Sequence, residues 1–242
     1  VITCREMLLR LFYYYNDSSC RKIGILYDSG VARQFMHICI ISFLFVNVFG
    51  NLFLSVLMDS SLKRPAVGEG TYCERCQMLR PAGSWHCMKC NVCILKRDHH
   101  CFFLARCVGL NNRRYFILFL GHIMVSMMYM SYYNYYFTTL NYKLKYDWRG
   151  TKSLPPLNVV LTYSFLNVVL IFFICVMFFC HLRHAVWGVT YYESRFPELR
   201  KSLEWKQNLL NIFGTEWYLA IVWPFCISPT PNEHRMKVNK NP

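Results

Sequence analysis

The chain has 242 residues, enough for one or two domains, and its composition excludes several classes of protein. Apolar residues make up 55% and charged residues 17%, whereas soluble domains carry about 25% charged residues; a disordered chain, a collagen and a polar repeat array are excluded. A net charge of +14 would suggest nucleic acid in a soluble protein, but in so apolar a chain it favours loops that lie against anionic lipid. Seven of the 13 cysteines lie between Cys73 and Cys107, where their spacing indicates metal binding rather than a disulfide framework.

Three long uncharged stretches are each long enough to cross a bilayer, which takes about 20 apolar residues. They predict membrane-spanning helices at 35–58, 115–138 and 157–182. Three such runs in one short chain disfavour the alternative, the buried helices of a large soluble enzyme. The predicted fold class is therefore an all-α polytopic membrane protein, a transmembrane helix bundle with a cysteine-rich insert between spans. No internal repeat is evident.

The distribution of basic residues predicts the topology. The insert at 59–114 holds ten Lys and Arg and the tail at 183–242 holds eight, so both are predicted to be cytosolic. The segments 1–34 and 139–156 are then luminal. The N-terminal stretch MLLRLFYYY is too short to cross and contains an arginine. Either it lies at the membrane interface or the chain is a fragment that lacks an earlier span, and we favour the fragment.

The insert carries a dense set of potential metal ligands. The CxxC pair at 73–76 and the CxxCxxC run at 87–93 have the two-residue spacing that lets two thiolates bind one zinc ion. Seven cysteines and three histidines lie between positions 73 and 107, and two tetrahedral sites use eight of these ten. Two residues are left over, and spacing alone does not say which. A purely structural zinc module with two extra residues is the alternative.

The tetrapeptide DHHC at 98–101 resembles the signature of the DHHC protein S-acyltransferases, or palmitoyltransferases. The resemblance covers the cysteine spacing over 73–116 and the placement of the flanking spans. In the tail, 190–193 resembles the family's TTxE motif, with Tyr191 in place of one Thr, and 208–214 resembles its asparagine-containing C-terminal motif. The family has four transmembrane helices with the insert between the second and third, against three spans found in this sequence.

By position, the resemblance implies which residues bind metal and which carry the chemistry. It implies two interleaved structural zinc sites, formed by Cys73, Cys76, His86 and Cys93 and by Cys87, Cys90, His100 and Cys107. Four protein ligands close each site, so neither holds a reactive water. Left over are His99 and Cys101, with Asp98 beside them.

These leftover residues suit thiol chemistry, because a free thiol is mostly protonated at neutral pH and needs an adjacent base. His99 is expected to take the proton of Cys101, while Asp98 orients the imidazole. The resemblance implies that Cys101 is acylated by palmitoyl-CoA or another long-chain acyl-CoA and then passes the acyl group to a substrate cysteine. Six basic residues are candidates for holding CoA phosphates, although contact with lipid headgroups is at least as good an interpretation of each: Lys63, Arg64, Lys96, Arg97, Arg113 and Arg114.

The sequence departs from the family pattern within the insert. Phe102 and Phe103 replace the usual Pro-Trp after the nucleophile, Arg106 replaces an Asn, and Gly83 replaces an Arg. Together with the change at Tyr191, these departures motivate an alternative function. In that alternative the chain is a catalytically weak or inactive relative that keeps the zinc-stapled fold as a membrane scaffold.

The resemblance also implies a location and partners. We expect a multi-pass protein of the endoplasmic reticulum or Golgi, in contact with membrane lipids and with substrate proteins whose cysteines lie near the bilayer. A nucleic-acid partner is not expected, since three uncharged spans disfavour a soluble zinc ribbon. His37, His122 and His181 lie within or at the ends of spans, where an ionisable side chain can mark function. We interpret them as neutral histidines that are hydrogen-bonded inside the bundle.

Overall fold

The structure, a computed structural model, describes residues 24–66, 68, 70–145, 157–196 and 204–226. The predicted luminal segment before residue 24, most of the predicted luminal loop and the end of the tail lie outside the described residues. The chain divides into two units, Val1–Phe45 and Val46–Pro242. The described part of the first unit is helical, and every contact reported below lies within the second unit.

Among the described residues, three helices are long and apolar enough to cross a membrane. Helix α1 comprises Gly24–Leu57, α2 comprises Arg113–Lys145 and α3 comprises Leu157–Val186. Their candidate spans are Val31–Leu57, Arg113–Tyr136 and Val159–Val186. The cysteine- and histidine-rich insert lies between α1 and α2 in the chain. The predicted fold class, a mostly helical protein with membrane spans and a metal-binding insert, is therefore confirmed.

The insert folds as three separate antiparallel hairpins. Strand β1 (Thr71–Cys73) pairs with β2 (Met78–Arg80), β3 (Trp85–Cys87) with β4 (Val92–Ile94), and β5 (His99–Cys101) with β6 (Arg106–Val108). The first strands of the hairpins begin at positions 71, 85 and 99, a period of 14 residues.

The turns of the three hairpins share one unusual backbone conformation. Gln77, Asn91 and Ala105 occupy equivalent turn positions and have φ values of 50°, 53° and 52°. A positive φ is uncommon for residues other than glycine, so three matching values indicate three copies of one turn. The expectation that the chain holds no internal repeat is therefore wrong. The insert is a threefold repeat of a short metal-binding hairpin.

Asn112, at the start of α2, fastens the insert to the helices. Its Nδ2 donates to the carbonyl oxygens of Ser55 (2.9 Å) and Cys107 (3.1 Å). Its Oδ1 accepts from the amide of Gly109 (2.8 Å) and the hydroxyl of Ser60 (3.3 Å). The side chain is fully buried, and both donor hydrogens and both acceptor lone pairs of the amide are used. This one residue joins the end of α1, the last hairpin and the start of α2.

The described part of the tail contains a 3-10 turn at Glu193–Arg195 and, after residue 203, two short helices, α4 (Trp205–Phe213) and α5 (Trp217–Val222). Asn208 of α4 is buried, and its Nδ2 donates to the carbonyl oxygen of Val186 at the end of α3 (2.9 Å). A side-chain donor thereby satisfies one of the carbonyls that a helix leaves unpaired at its C-terminus. The tail is fixed to the last span by this contact.

The tail is also fixed to α1. Asn47 Nδ2 donates to the carbonyl oxygen of Val222 (3.1 Å), and Pro224 is fully buried beside Gly50. A Cβ atom at position 50 would lie 2.5 Å from Pro224 Cγ, closer than two carbon atoms can approach without a shift. Glycine at this position in α1 is what makes room for the proline of the tail.

Candidate active site and metal centres

The hairpins bring the eight predicted metal ligands into two groups. Within each group the ligand atoms lie within 4.8 Å of one another; the groups are Cys73, Cys76, His86 and Cys93, and Cys87, Cys90, His100 and Cys107. Each group takes two cysteines from one hairpin and a histidine and a cysteine from the next. A metal ion in each group would therefore tie successive hairpins together.

The distances within the second group fit a tetrahedral zinc ion. His100 Nδ1 lies 3.6, 3.3 and 3.7 Å from the Sγ atoms of Cys87, Cys90 and Cys107, and the last two sulfurs are 3.7 Å apart. Zinc bonds of about 2.3 Å to sulfur and about 2.0 Å to nitrogen give tetrahedral edges of about 3.5 Å (S···N) and about 3.8 Å (S···S). In the first group, His86 Nδ1 lies 3.8 and 3.2 Å from the sulfurs of Cys73 and Cys76. Both clusters are suited to holding structural zinc.

The electrostatics of these thiols point the same way. Burial, and after it the neighbouring sulfurs of Cys73 and Cys76, raise the pKa of Cys93 to about 12. Burial likewise raises the pKa of Cys107, with Cys87 and Cys90 adding to the effect. Several thiols packed so closely cannot all ionise without a counter-charge. A divalent cation supplies that charge, because a thiol that coordinates it loses its proton.

The third hairpin has the same turn but lacks the second thiol. Cys101 occupies the position that Cys73 and Cys87 hold in the first two hairpins, whereas the buried Leu104 replaces the second cysteine of the pair. The backbone amides of Phe103 and Leu104 donate to the Cys101 sulfur, as backbone amides also do to Cys87. The candidate nucleophile is thus a zinc-knuckle cysteine outside both metal groups.

Asp98, His99 and Cys101 interact one after the other. His99 Nδ1 lies 2.8 Å from Asp98 Oδ2, and His99 and Cys101 are close enough to shift each other's pKa. Burial alone would lower the pKa of His99, but the interactions with Asp98 and Cys101 outweigh it and raise that pKa to about 9. Burial opposes ionisation of Cys101, yet His99 and the two backbone amides bring the pKa of the thiol below its usual value. A protonated imidazole beside a thiolate is the pair that activates a cysteine for nucleophilic attack.

The carboxylate of Asp98 is buried among donors from distant parts of the chain. Its Oδ1 accepts the amide hydrogen of Tyr191 (2.8 Å) and lies 3.7 Å from Arg113 Nη2, and its Oδ2 lies 3.3 Å from His181 Nδ1. Burial would raise the pKa of Asp98, but Arg113 and the contacts with His181 and His99 hold it well below its usual range. Asp98 is therefore an ionised partner for His99 at neutral pH.

The partners of Asp98 that could not be foreseen from the sequence are Arg113, His181 and Tyr191. Arg113 was a candidate for binding phosphate, but it is buried and its Nη2 donates to the carbonyl oxygen of Val189 (2.6 Å). Nothing in the sequence distinguishes Arg113, which contacts Asp98, from the adjacent Arg114. For His181 a signal existed, because an ionisable group inside an apolar run is a candidate functional residue.

Two other candidates for phosphate binding already have acidic partners. Lys96 Nζ lies 3.7 Å from Glu193 Oε1, and Lys63 Nζ lies 3.6 Å from Asp59 Oδ2. Both ammonium groups are well exposed, so the ion pairs are weak and leave these side chains accessible to solvent.

The tail motif holds the Tyr191 amide in place through a capping box. Glu193 Oε2 accepts the amide hydrogen of Thr190 (2.9 Å), and Thr190 Oγ1 accepts the amide hydrogen of Glu193 (3.1 Å). Tyr191 lies between these two residues. Its contact with Asp98 uses the backbone, which explains how a tyrosine can stand where the family has a threonine.

The structure gives a physical reason for two further departures from the family pattern. Gly83 has a φ of +76°, a conformation that glycine adopts without strain and arginine does not. Arg106 Nη2 lies 3.3 Å from Asp59 Oδ1, so this side chain has gained an ion pair with the segment that follows α1.

Phe102 and Phe103, beside the nucleophile, are 78% and 72% exposed. The Phe103 ring is stacked on Phe119 of α2, with ring centres 6.1 Å apart and an interplanar angle of 15°. The Phe102 ring lies edge-on to the metal-ligand candidate His100 at 5.3 Å. The two residues that follow Cys101 in the chain therefore present exposed aromatic surface.

Comparison with known proteins gives a consistent result. A family model described as DHHC palmitoyltransferase matches residues 66–196, more than half of the chain. The chain is 30% identical to palmitoyltransferase ZDHHC2 of Homo sapiens over 177 residues, which is 65% of this chain and 45% of that protein. It is 33% identical to palmitoyltransferase ZDHHC15 of Rattus norvegicus over 132 residues (52% of this chain, 35% of that protein).

A third relative is matched over most of its length. Probable palmitoyltransferase ZDHHC24 of Rattus norvegicus is 28% identical over 223 residues, 82% of this chain and 76% of that protein. The chain spans less than half the length of ZDHHC2 and ZDHHC15. The match to the family model covers all three hairpins, both metal groups and the tail motif beside Asp98. This chain belongs to the DHHC palmitoyltransferase family.

Proposed function

We propose that this chain is a protein S-acyltransferase that moves a palmitoyl or other long-chain acyl group from acyl-CoA, through a thioester on Cys101, to cysteines of membrane-associated substrate proteins. The observation that carries the proposal is the contact of Asp98 with His99, which in turn interacts with Cys101, the cysteine whose thiol belongs to neither metal group. Membership of the palmitoyltransferase family supports the class of reaction.

In the first half-reaction, the Cys101 thiolate attacks the carbonyl carbon of the acyl-CoA thioester. The bond from the acyl carbon to the CoA sulfur breaks, and the electron pair leaves with that sulfur. His99, protonated beside the thiolate, gives its proton to the leaving sulfur. The products are S-acylated Cys101, neutral His99 and free CoA. Throughout, Asp98 holds the ring of His99 through Nδ1 and stabilises its protonated form.

In the second half-reaction, His99 takes the proton of an incoming substrate cysteine. The substrate sulfur attacks the thioester carbonyl, and Cys101 leaves as a thiolate beside the newly protonated His99. The acyl group has then moved to the substrate, and the starting ion pair is restored. Two half-reactions that share a covalent intermediate predict ping-pong kinetics.

Metal ions in the two clusters would supply structural cross-links. Four protein ligands per cluster leave no position for a reacting water. His100 stands between the base and the nucleophile in the chain, and its Nδ1 faces the sulfurs of the second cluster. Fixing His100 would fix the backbone that carries His99 and Cys101, which is the rigid placement that catalysis requires.

We also propose that the insert faces the cytosol and that the protein resides in the endoplasmic reticulum or Golgi, with membrane lipids as partners. Cys101 packs against a buried apolar cluster that includes Phe116, Phe119 and Leu120 of α2. This contact supports the proposal that the acyl chain enters the bilayer among the helices. The CoA nucleotide would then remain at the basic face of the insert.

Autoacylation tests this function directly. Purified protein is incubated with labelled palmitoyl-CoA and then with hydroxylamine, which cleaves thioesters, and bound zinc is counted in every sample. The variants are Cys101→Ser and His99→Ala, and the matched control is Cys180→Ser, which removes an exposed cysteine of α3. Hydroxylamine-labile label that persists in the control and vanishes in Cys101→Ser is the expected result. Two zinc ions per chain with no label would reject the enzyme and leave the zinc-stapled scaffold.

A further inference from the structure

We propose that His181 of α3 is a positioning residue for acyl transfer: it fixes the carboxylate of Asp98 and the ring of His99 in their working arrangement. The inference deepens the proposed function and rests on it. It concerns a histidine that was interpreted from the sequence as neutral and hydrogen-bonded inside the bundle.

The first support is the polar contact. His181 is 6% exposed, and its Nδ1 lies 3.3 Å from Asp98 Oδ2, the same oxygen that His99 Nδ1 approaches at 2.8 Å. The approach does not meet hydrogen-bond geometry, and this nitrogen has no hydrogen-bond partner in the part of the chain that the structure describes. Because a buried polar atom without such a partner is costly, the closeness of the ionised Asp98 carboxylate is the interaction that offsets the burial of His181 here.

The second support is ring packing. The centres of the His181 and His99 rings lie 5.1 Å apart, with an interplanar angle of 38°. Phe116 lies edge-on to His181 at 5.1 Å and against His99 at 5.2 Å. The three rings therefore contact one another pairwise, and His181 and Phe116 together limit the rotation of the His99 ring on the side where they pack against it.

These two contacts have a common consequence for the reaction. Asp98 Oδ1 is held by the Tyr191 amide, so the position of Oδ2 depends on its two imidazole neighbours, His99 and His181. Removal of His181 leaves the carboxylate free to turn and the ring of His99 free to tilt. A displacement of about 1 Å at a catalytic group can cost about 100-fold in rate. A phenylalanine would be a less costly occupant of an apolar span, so a histidine at this position points to a role in the site.

Two variants separate the polar contact from the ring. His181→Phe keeps an aromatic ring and loses the nitrogen, whereas His181→Asn places an amide nitrogen near the position of Nδ1 and loses the ring. We expect His181→Phe to lower the rate constant of Cys101 thioester formation at saturating palmitoyl-CoA by about 10- to 100-fold, with little change in KM. His181→Asn is expected to recover part of this loss.

The matched control is His184→Phe. His184 lies on the same helix and is also 6% exposed, but it is not among the groups within 4 Å of the Asp98 carboxylate in the described chain. Loss of rate in the control measures the general cost of a buried phenylalanine on this helix, since the His184 ring lies 6.0 Å from that of Tyr191, and the loss in His181→Phe is expected to exceed it by at least about 10-fold. Bound zinc is counted in each sample, and if His181→Phe does not retain two zinc ions, the asparagine variant decides.

A second measurement tests the positioning role of His181 independently of the proposed function. The rate of alkylation of Cys101 by iodoacetamide, followed by mass spectrometry, requires no acyl-CoA. If wild type forms no thioester, the proposed function fails; slower alkylation in His181→Phe but not in His184→Phe would still support the positioning role. Wild-type rates of both reactions in a zinc-bound His181→Phe protein would overturn it. So would a third zinc ion per wild-type chain that is lost in His181→Phe, because Asp98, His99 and His181 would then be a metal site.

Discussion

The backbone amide of Tyr191 donates a hydrogen bond to Asp98 Oδ1 at 2.8 Å, and so joins two residues that are 93 positions apart in the chain. The Tyr191 side chain is exposed and takes no part in this contact. The tail motif therefore acts on the candidate active site through its backbone. The capping box of Thr190 and Glu193 holds that backbone in place.

This relationship predicts that the side chain at position 191 is replaceable and the amide is not. We expect Tyr191→Thr and Tyr191→Ala to keep autoacylation within about twofold of wild type, as exposed substitutions usually do. Tyr191→Pro, which has no amide hydrogen, is expected to lose at least about tenfold by misplacing Asp98. Zinc counts on all three variants check the fold. An equal loss in Tyr191→Ala and Tyr191→Pro would show that the side chain matters instead.

A second prediction concerns Leu104, which stands where the other hairpins have the second knuckle cysteine. Leu104→Cys would complete a CxxC pair with Cys101 on a turn already shaped for metal. No further hairpin follows in the described part of the chain to supply a histidine and a third thiolate, so we expect added zinc to bind this pair more weakly than either cluster, with water as the remaining ligands. Thioester formation should be lost when zinc binds there, because a coordinated thiolate is a poor nucleophile. Elemental analysis and labelled palmitoyl-CoA measure the two effects.

The control for this variant is Leu104→Met, which keeps an apolar side chain of similar volume and adds no strong metal ligand. It should hold two zinc ions and form the thioester. A Leu104→Cys protein that binds two zinc ions and remains fully active would contradict the interpretation of the third hairpin as a knuckle without its metal.

Much of the fold could be predicted from the sequence because spans and zinc knuckles have local signals. An uncharged run of more than twenty residues and a CxxC spacing are each readable without knowledge of the tertiary structure. The hairpin repeat was missed although its 14-residue period is present in the cysteines. In the third copy Leu104 replaces one cysteine, so the cysteine pattern is incomplete there, although the backbone of the turn has the same conformation as in the first two copies.

The partners of Asp98 could not be predicted from the sequence for a different reason. Arg113, His181 and the Tyr191 amide reach Asp98 only after α2, α3 and the tail have packed around the insert. No local sequence pattern predicts contacts between residues so far apart in the chain. A hydrogen bond from a backbone amide cannot be predicted from the type of the residue that donates it. The resemblance to a family supplied Asp98, His99 and Cys101, but it gave no information on what surrounds them.

A third prediction concerns the fully hydrogen-bonded amide of Asn112. Asn112→Ala leaves buried groups of Ser55, Cys107 and Gly109 without their partner, at about 1–3 kcal/mol for each unsatisfied group. We expect a clear fall in the midpoint of thermal unfolding in detergent. The neighbouring Asn111→Ala is the control, since its exposed Nδ2 makes one hydrogen bond, to the carbonyl oxygen of Asp59. Equal midpoints for the two variants would show that Asn112 does not fasten the insert.

A fourth prediction concerns removal of metal. A buried cluster of the insert is built largely from its ligand cysteines, Cys87, Cys90 and Cys107, with Ile94 and Val92 beside them. The insert thus has little apolar core of its own to stabilise the hairpins. A strong chelator is expected to make the segment 70–108 sensitive to protease and to abolish thioester formation, while the spans stay in the membrane. A metal-free protein that resists protease over this segment would contradict a structural role for zinc.

The fifth prediction concerns the contact between Gly50 of α1 and Pro224 of the tail. Gly50→Ala places a Cβ atom 2.5 Å from Pro224 Cγ and is expected to displace the proline from α1. The tail helix Trp217–Val222 should then exchange its amide hydrogens faster, because its anchor to the span is weakened. Pro224→Ala removes the clashing Cγ, so we expect the double variant to exchange more slowly than Gly50→Ala alone.

The double-mutant cycle isolates this contact from the general cost of each change. Phe53→Leu is a suitable control on the same helix. Phe53 is exposed, so its replacement changes the apolar surface of α1 without filling the space beside Gly50. Purely additive effects of Gly50→Ala and Pro224→Ala on exchange would show that the two residues do not pack against each other. A coupling between them would establish that the tail is fixed to α1 at this point. The same tail is fixed to the end of α3 through Asn208, so it would join the first and last of the three spans.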